Sequence, residues 1–230
     1  MNPTRQDTRE NQVYRKLKEA ILRRRLAPGS QLVESVIANT LDTSRTPVRS
    51  ALRSLAEEGL VTMVPNKGAF VVNPSPNEIQ DAFYMREKLE ALAWEQGGPV
   101  CTTDDIKDLR RMVAEETRSV MQKDFDRYLE INRAFHLLPA RKWGNVYLIS
   151  FMEKLLTQIG VYLTLYDVFF DRRPHEVTSL KEHARIIELL EMKHWDELQE
   201  SVARHNQGSR DNLQTQQQDF YSLEDALGFV

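Results

Sequence analysis

The sequence of 230 residues has one cysteine, Cys101. That excludes a disulfide framework within the chain and fits a reducing cytoplasm. No apolar run approaches the roughly 18–20 residues that span a bilayer. The opening, MNPTRQDTRE, is polar and lacks the apolar core of a signal peptide. A cytoplasmic location without a membrane partner is the expectation. No repeat recurs at a fixed period, and the one low-complexity patch, QTQQQ (214–218), is short. No nucleophile stands beside a base in a recognisable motif: Cys101 lacks an activating context, and Glu182 adjoins His183 only along the chain. Catalytic residues are therefore not expected.

What is present is an uneven charge. Residues 1–74 carry 12 Lys and Arg against 7 Asp and Glu, a balance of +5, and the rest carries 19 against 27, a balance of −8. A basic front and an acidic rear point to two modules with different partners, the front facing a polyanion. Hydrophobic content of 41% supplies cores for both.

The front module, residues 7–73, reads as helix, short helix, capped helix and β-hairpin. Asp7 and Glu10 have the spacing of a capping box, and Val13, Leu17, Ala20 and Ile21 repeat at helical period to about Arg25. APGS (27–30) breaks that helix, and Val33–Leu41 forms the next. Ser44 suits an N-cap, and Pro47 falls in the first turn, where its missing N–H costs nothing. Val48, Leu52 and Leu55 face inward, and Gly59 ends the helix in a left-handed turn. LVTMV, PNKG and AFVVN (60–73) then read as strand, turn, strand.

Arg45, Arg49 and Arg53 recur every helical turn on the capped helix. Such a row is often an ordinary solvated face. Set at the start of the second helix of a helix–turn–helix, it instead suits bidentate donation to guanine, with Ser44 and Thr46 for phosphate oxygens. Lys67 and Gly68 at the hairpin turn add charge and close backbone approach.

The stretch LAPGSQLVESVIANTLDTSRTPVRSALRSLAEEGLVTMVPNKGAFVV (26–72) resembles the winged helix–turn–helix of the GntR family of bacterial transcription regulators. The resemblance implies DNA contacts from Ser44, Arg45, Thr46 and Arg49 and, in the wing, Lys67 and Gly68. Ser35 and Arg53 are weaker backbone contacts.

Behind a linker at 73–78, residues 77–220 read as helices over 77–97, 103–122, 123–138, 145–170, 174–192 and 194–218. Short connections between them imply an antiparallel bundle. The fold class expected is thus mainly α: a winged helix–turn–helix with a small hairpin, then a helical bundle. Of five histidines, His136, His183 and His205 fall on inward stripes of three different helices. One such histidine is ordinarily a hydrogen-bonded core residue. Three of them, with Asn132 one turn before His136, have the donor types of a zinc or nickel site.

The segments MREKLEALAWEQ (85–96), NRAFHLLPARKWGNVYL (132–148), EHARIIELLEMKHWDEL (182–198) and VARHN (202–206) resemble the helical ligand-binding domain of the FadR subfamily. The resemblance implies a divalent metal held by Asn132, His136, His183 and His205, and Arg86 as a clamp on a small carboxylate effector. An intrahelical i,i+4 pair with Glu90 is the other reading of Arg86. Two departures stand out: many members have Asp where Asn132 stands, and Pro139 is expected to kink or end the helix carrying His136. Arg133 and Asn206 adjoin the proposed ligands in sequence but are expected to face elsewhere.

Together these readings describe a ligand-responsive transcription regulator, a repressor of a metabolic operon. It acts as a homodimer on an inverted-repeat operator whose half-sites lie about 34 Å apart. The alternative is a helical metal-dependent enzyme with an accessory winged helix.

Overall fold

The computed structural model describes residues 8–166, 177–213 and 220–228. The chain divides into two compact units.

The first unit begins with α1 (Arg9–Leu22). Its cap is Thr8, whose hydroxyl accepts from the Asn11 amide at 3.2 Å; Asp7 lies outside the described residues. The helix stops at Leu22, short of the expected Arg25. Arg24 turns left-handed at φ 55°. The amides of Arg24 and Arg25 bond back to the Ile21 and Ala20 carbonyls, which closes the helix end.

Next come β1 (Gln31–Leu32), α2 (Glu34–Thr40), α3 (Arg45–Glu57), β2 (Val61–Val64) and β3 (Gly68–Val71). The expected hairpin is β2 and β3, but the sheet has three strands in the order β1-β3-β2, all antiparallel. Gln31 and Leu32 pair with Phe70 and Ala69. A two-residue strand has no periodicity to read, so its partner alone reveals it. Val48, Ala51, Leu52 and Leu55 of α3 are buried, as are Val13, Leu17 and Ile21 of α1, on which α3 packs. Gly59 has φ +79°, the left-handed end expected of it.

This unit also takes in α10 (Leu223–Gly228), which packs on α2 and α1 and buries Ala226 and Leu227.

The second unit is helical: α4 (Pro76–Gly97), a 3-10 turn (Gly98–Val100), α5 (Thr103–Gln122), α6 (Phe125–Trp143), α7 (Val146–Tyr166) as far as Leu163, Thr164–Tyr166 being grouped with the first unit, α8 (Thr178–Met192) and α9 (Trp195–Asp211). The rest of the expected spans, 167–170, 174–176 and 214–218, lies outside the described residues. One cluster buries Trp94, Leu109, Phe135, Ile186, Leu190 and Val202 from α4, α5, α6, α8 and α9. A second packs Ala93, Leu137, Ala140, Leu148 and Met152.

Pro139 does not end α6, which runs on to Trp143 and closes at Gly144, φ +77°. The packing around it supplies the reason. A Cβ on Gly97 would lie 1.9 Å from the Pro139 carbonyl oxygen, so α4 and α6 meet backbone to backbone and hold the segment helical. Helix α7 is long and apolar enough to cross a membrane by composition, at mean hydropathy 1.2, but half of that window is buried inside the protein. It also carries Glu153 and Lys154.

Candidate functional site

The first unit presents the basic row on α3. Ser44 sits at the N-cap with extended φ and ψ, yet its hydroxyl makes no cap bond. Ser44, Arg45, Thr46 and Arg49 are all exposed, as are Arg53, Lys67 and Gly68, whereas Ser35 is half-buried. Arg49 is held: its Nε donates to both carboxylate oxygens of Glu34 on α2, at 2.9 and 2.7 Å. The wing turn is braced by Gln31, whose amide donates to the Lys67 carbonyl at 2.7 Å. Gly68 has φ +96°, a conformation that side chains rarely adopt.

The second unit gathers His136 of α6, His183 of α8 and His205 of α9. One ligand nitrogen from each lies within 4.8 Å of the others, and all three rings are buried. Each ring is oriented by its own glutamate. His136 Nδ1 donates to Glu90 at 3.0 Å, His183 Nδ1 to Glu116 at 2.8 Å, and His205 Nδ1 to Glu182 at 2.8 Å. A carboxylate taking the Nδ1 proton leaves the lone pair on Nε2. Phe135 stacks on His183 at 4.2 Å between centroids and fixes that ring further.

The consequence is a close nitrogen–nitrogen contact between two of the rings. His183 Nε2 and His205 Nε2 stand 3.3 Å apart. With both Nδ1 atoms protonated, two lone pairs face each other, an arrangement that a cation between them satisfies. Two imidazole nitrogens about 2.0–2.1 Å from a tetrahedral ion would be separated by about 3.3 Å. The donor set therefore fits a divalent ion of the zinc or nickel type: buried nitrogens with their carboxylate partners already in place.

Charge supports the same fit. Burial pushes Glu90 up, but Arg86 and His136 outweigh it and hold its carboxyl at about 2. Burial lowers His136 to about 4, Glu90 working against that and Arg86 with it. His205 falls well below the usual histidine value, through burial and then through His183, His136 and Arg86. Glu182 is raised by burial.

Asn132 is buried at 9% exposure, and its amide donates to Glu116 Oε1 at 3.3 Å. Arg86 is 2% exposed and does form the intrahelical pair with Glu90 weighed from sequence, here in a buried setting. Its Nε donates to Glu90 at 2.7 Å, and a terminal nitrogen donates to His136 Nε2 at 2.7 Å. Arg86 and Asn132 both line a small cavity of about 30 Å³, room for little more than a water, with Tyr128, Ser179, Glu182 and Ser209 also on its walls. The structure thus brings Asn132, the three histidines and Arg86 into one neighbourhood.

The other two histidines stay apart: His194 is exposed beside Glu197, and His175 lies outside the described residues.

The glutamates are what residue-by-residue reading missed. Glu90 and Glu116 are 1% and 0% exposed, on the inward stripes of α4 and α5. A carboxylate at a core position of an amphipathic helix was the available signal. Asn206 is a correction. It faces inward at 2% exposure and donates to Glu90 at 3.2 Å, because α9 packs along α4. Arg133 is exposed, as expected.

Comparison with known proteins gives two family matches. Residues 9–71 match "Bacterial regulatory proteins, gntR family". Residues 81–208 match the FCD domain. A helix–turn–helix regulator from an unstable DNA locus of Streptomyces ambofaciens is 32% identical over 61% of this chain, which spans 59% of that protein's length. The transcriptional repressor RspR of Escherichia coli K12 is 25% identical over 90% of this chain and 89% of its own. The repressor GlaR of the same strain is 28% identical over 79% and 78%. Among solved structures, Escherichia coli McbR/YncC superposes with a TM-score of 0.60 at 22% identity, over 86% of this chain and 93% of that one.

Proposed function

This chain belongs to the gntR family of bacterial regulatory proteins, in its FCD-domain branch, and on that premise we propose that its helical unit senses a small carboxylate through a divalent metal held by His136, His183 and His205. It is a transcription regulator and not an enzyme, in keeping with its family and relatives. The α3 row, with Arg45 and Arg49 at its head, reads operator DNA, while Ser44 and Thr46 meet phosphates and the Lys67 wing tip follows the adjacent groove.

The observation that carries the metal reading is the Nε2–Nε2 approach of His183 and His205, 3.3 Å. Asn132 is the fourth protein ligand, through its amide oxygen. The ion supplies a positive charge with open coordination positions for a carboxylate. The chain's own residues do the rest. Glu90, Glu116 and Glu182 hold the rings in the binding tautomer, Arg86 supplies a second positive charge, and Ser179 and Ser209 offer hydroxyls from the wall. The neutral Asn132 leaves more of the ion's charge for the effector than an aspartate would.

The protein acts as a homodimer on an inverted repeat, as a repressor released by its effector. The exposed apolar edge of α7, with Tyr147 at 74% and Phe151 at 58% exposure, suits burial against a second copy. Binding of effector and of operator then oppose each other by the same factor.

The test is a thermal-shift screen of small carboxylates on the full chain, with and without chelator. A shift that chelator abolishes supports the reading. Carboxylate shifts indifferent to chelator, or no zinc in purified or zinc-treated protein, overturn it.

A further inference from the structure

The histidine lone pairs are not equally available. Those of His183 and His205 face each other, but that of His136 already accepts a hydrogen bond from Arg86 at 2.7 Å. An imidazole nitrogen has one lone pair, which serves an N–H donor or a metal but not both. The spacing of the rings agrees. His183 and His205 have centroids 4.6 Å apart, whereas His136 stands 5.0 Å from each of them. His136 Nε2 already has the Arg86 guanidinium as its partner.

We propose that Arg86 and a divalent ion are mutually exclusive partners of His136 Nε2, so that loading the ion releases the guanidinium into the cavity and creates the anion-binding group there. The proposal rests on the metal reading above and adds an order of events: metal first, anion second.

The local geometry allows that swing. Arg86 Nε is anchored on Glu90 Oε1 at 2.7 Å, and the planar guanidinium would pivot as a whole about that bond through its aliphatic torsions. Its two hydrogen bonds among the described residues use two of the five N–H groups that a guanidinium carries. It already lines the cavity. Glu90 is tied independently by His136 Nδ1 and the Asn206 amide, so it does not lose its surroundings when Arg86 moves. Repulsion between guanidinium and ion, side by side in a buried site, drives the departure. With Glu90 and His136 as its partners, Arg86 is neutralised and presents a weak site to an anion. After the exchange its fork faces the cavity, with the ion behind it.

The experiment is a competition titration of metal-free, full-length protein with zinc against a chromophoric chelator, for wild type, Arg86→Gln and His183→Ala. Calorimetry then follows acetate as the anion probe, with and without zinc. Arg86→Gln should bind zinc about tenfold more tightly than wild type, the scale on which outer-shell partners tune metal affinity. Wild type should bind acetate about tenfold more tightly with zinc than without, a gain the variant loses. Zinc binding by folded Arg86→Gln that is equal to or weaker than wild type overturns the exchange. If that variant does not fold, the wild type decides. The terminal Nη–H resonances of Arg86, identified by comparison with Arg86→Lys, should lose hydrogen-exchange protection when zinc is added, while its Nε–H keeps it; unchanged Nη–H protection overturns the proposal. His183→Ala separates the two ideas. If it binds zinc as tightly as wild type, the metal reading itself fails. If it loses zinc while Arg86→Gln gains nothing, only the exchange fails.

Discussion

Asn132 and Glu116 share one hydrogen bond, amide to carboxylate at 3.3 Å, while the other oxygen of Glu116 takes the His183 Nδ1 proton at 2.8 Å. Glu116 is fully buried, so both bonds offset its desolvation. An aspartate at 132 would set a second carboxylate against it. This gives a physical reason for an amide, and not an acid, at position 132.

Asn132→Asp should therefore lower the stability of the metal-free protein by about 1–3 kcal/mol, the cost of a buried group losing its partner. The same change adds an anionic ligand, so zinc should raise its melting temperature by more than it raises that of wild type. Calorimetric melts with and without zinc check both signs. An unchanged metal-free melt would show that Asn132 and Glu116 are not coupled.

Arg49 is tethered to Glu34, its side chain still 59% exposed. Arg49→Ala should weaken operator binding by about 1–3 kcal/mol, with Glu34→Gln leaving it intact or stronger. The slope of log affinity against log salt should fall by about one for Arg53→Ala if that residue meets phosphate. Fluorescence anisotropy at several salt concentrations separates these outcomes.

Gly97→Ala places a Cβ against the Pro139 carbonyl, and that oxygen belongs to backbone that cannot swing away. The substitution should destabilise the helical unit by about 3 kcal/mol or more, at the upper end of overpacking costs. Zinc binding should weaken with it, since α6 also carries His136. Denaturant unfolding measures the first effect and chelator competition the second.

Cys101 is half-buried, with its thiol donating to the Gly97 carbonyl at 3.4 Å. Burial, with Asp105 adding to it, pushes the thiol up to about 11. The thiolate is the reactive form, so alkylation at pH 8 should run about a hundredfold slower than for a free cysteine. It should accelerate about tenfold per pH unit until the pH nears that value. Iodoacetamide labelling followed by mass spectrometry checks it, and fast labelling at pH 8 would show an activated thiol.

Much of this was legible in the chain. The α3 stripe of Val48, Leu52 and Leu55, the Ser44 and Gly59 boundaries and the wing turn are all local signals, carried by residues a few positions apart. The inward histidines were visible for the same reason, since each lies on an apolar stripe of its own helix. What was not legible depends on partners far along the chain. Strand β1 exists because Phe70 and Ala69 lie beside it. Pro139 stays helical because Gly97 lets α4 press against it.

The same division runs through the candidate site. Helical period was enough to turn His136, His183 and His205 inward, because period depends only on backbone geometry. It could not say that three nitrogens from α6, α8 and α9 meet within 4.8 Å, or that Glu90, Glu116 and Glu182 each take one ring proton. Nor could it say that Arg86 reaches across to His136. Those relations belong to the packing of helices whose contacting residues lie 23 to 67 positions apart, where the low-dielectric interior makes each charge answer to its neighbours.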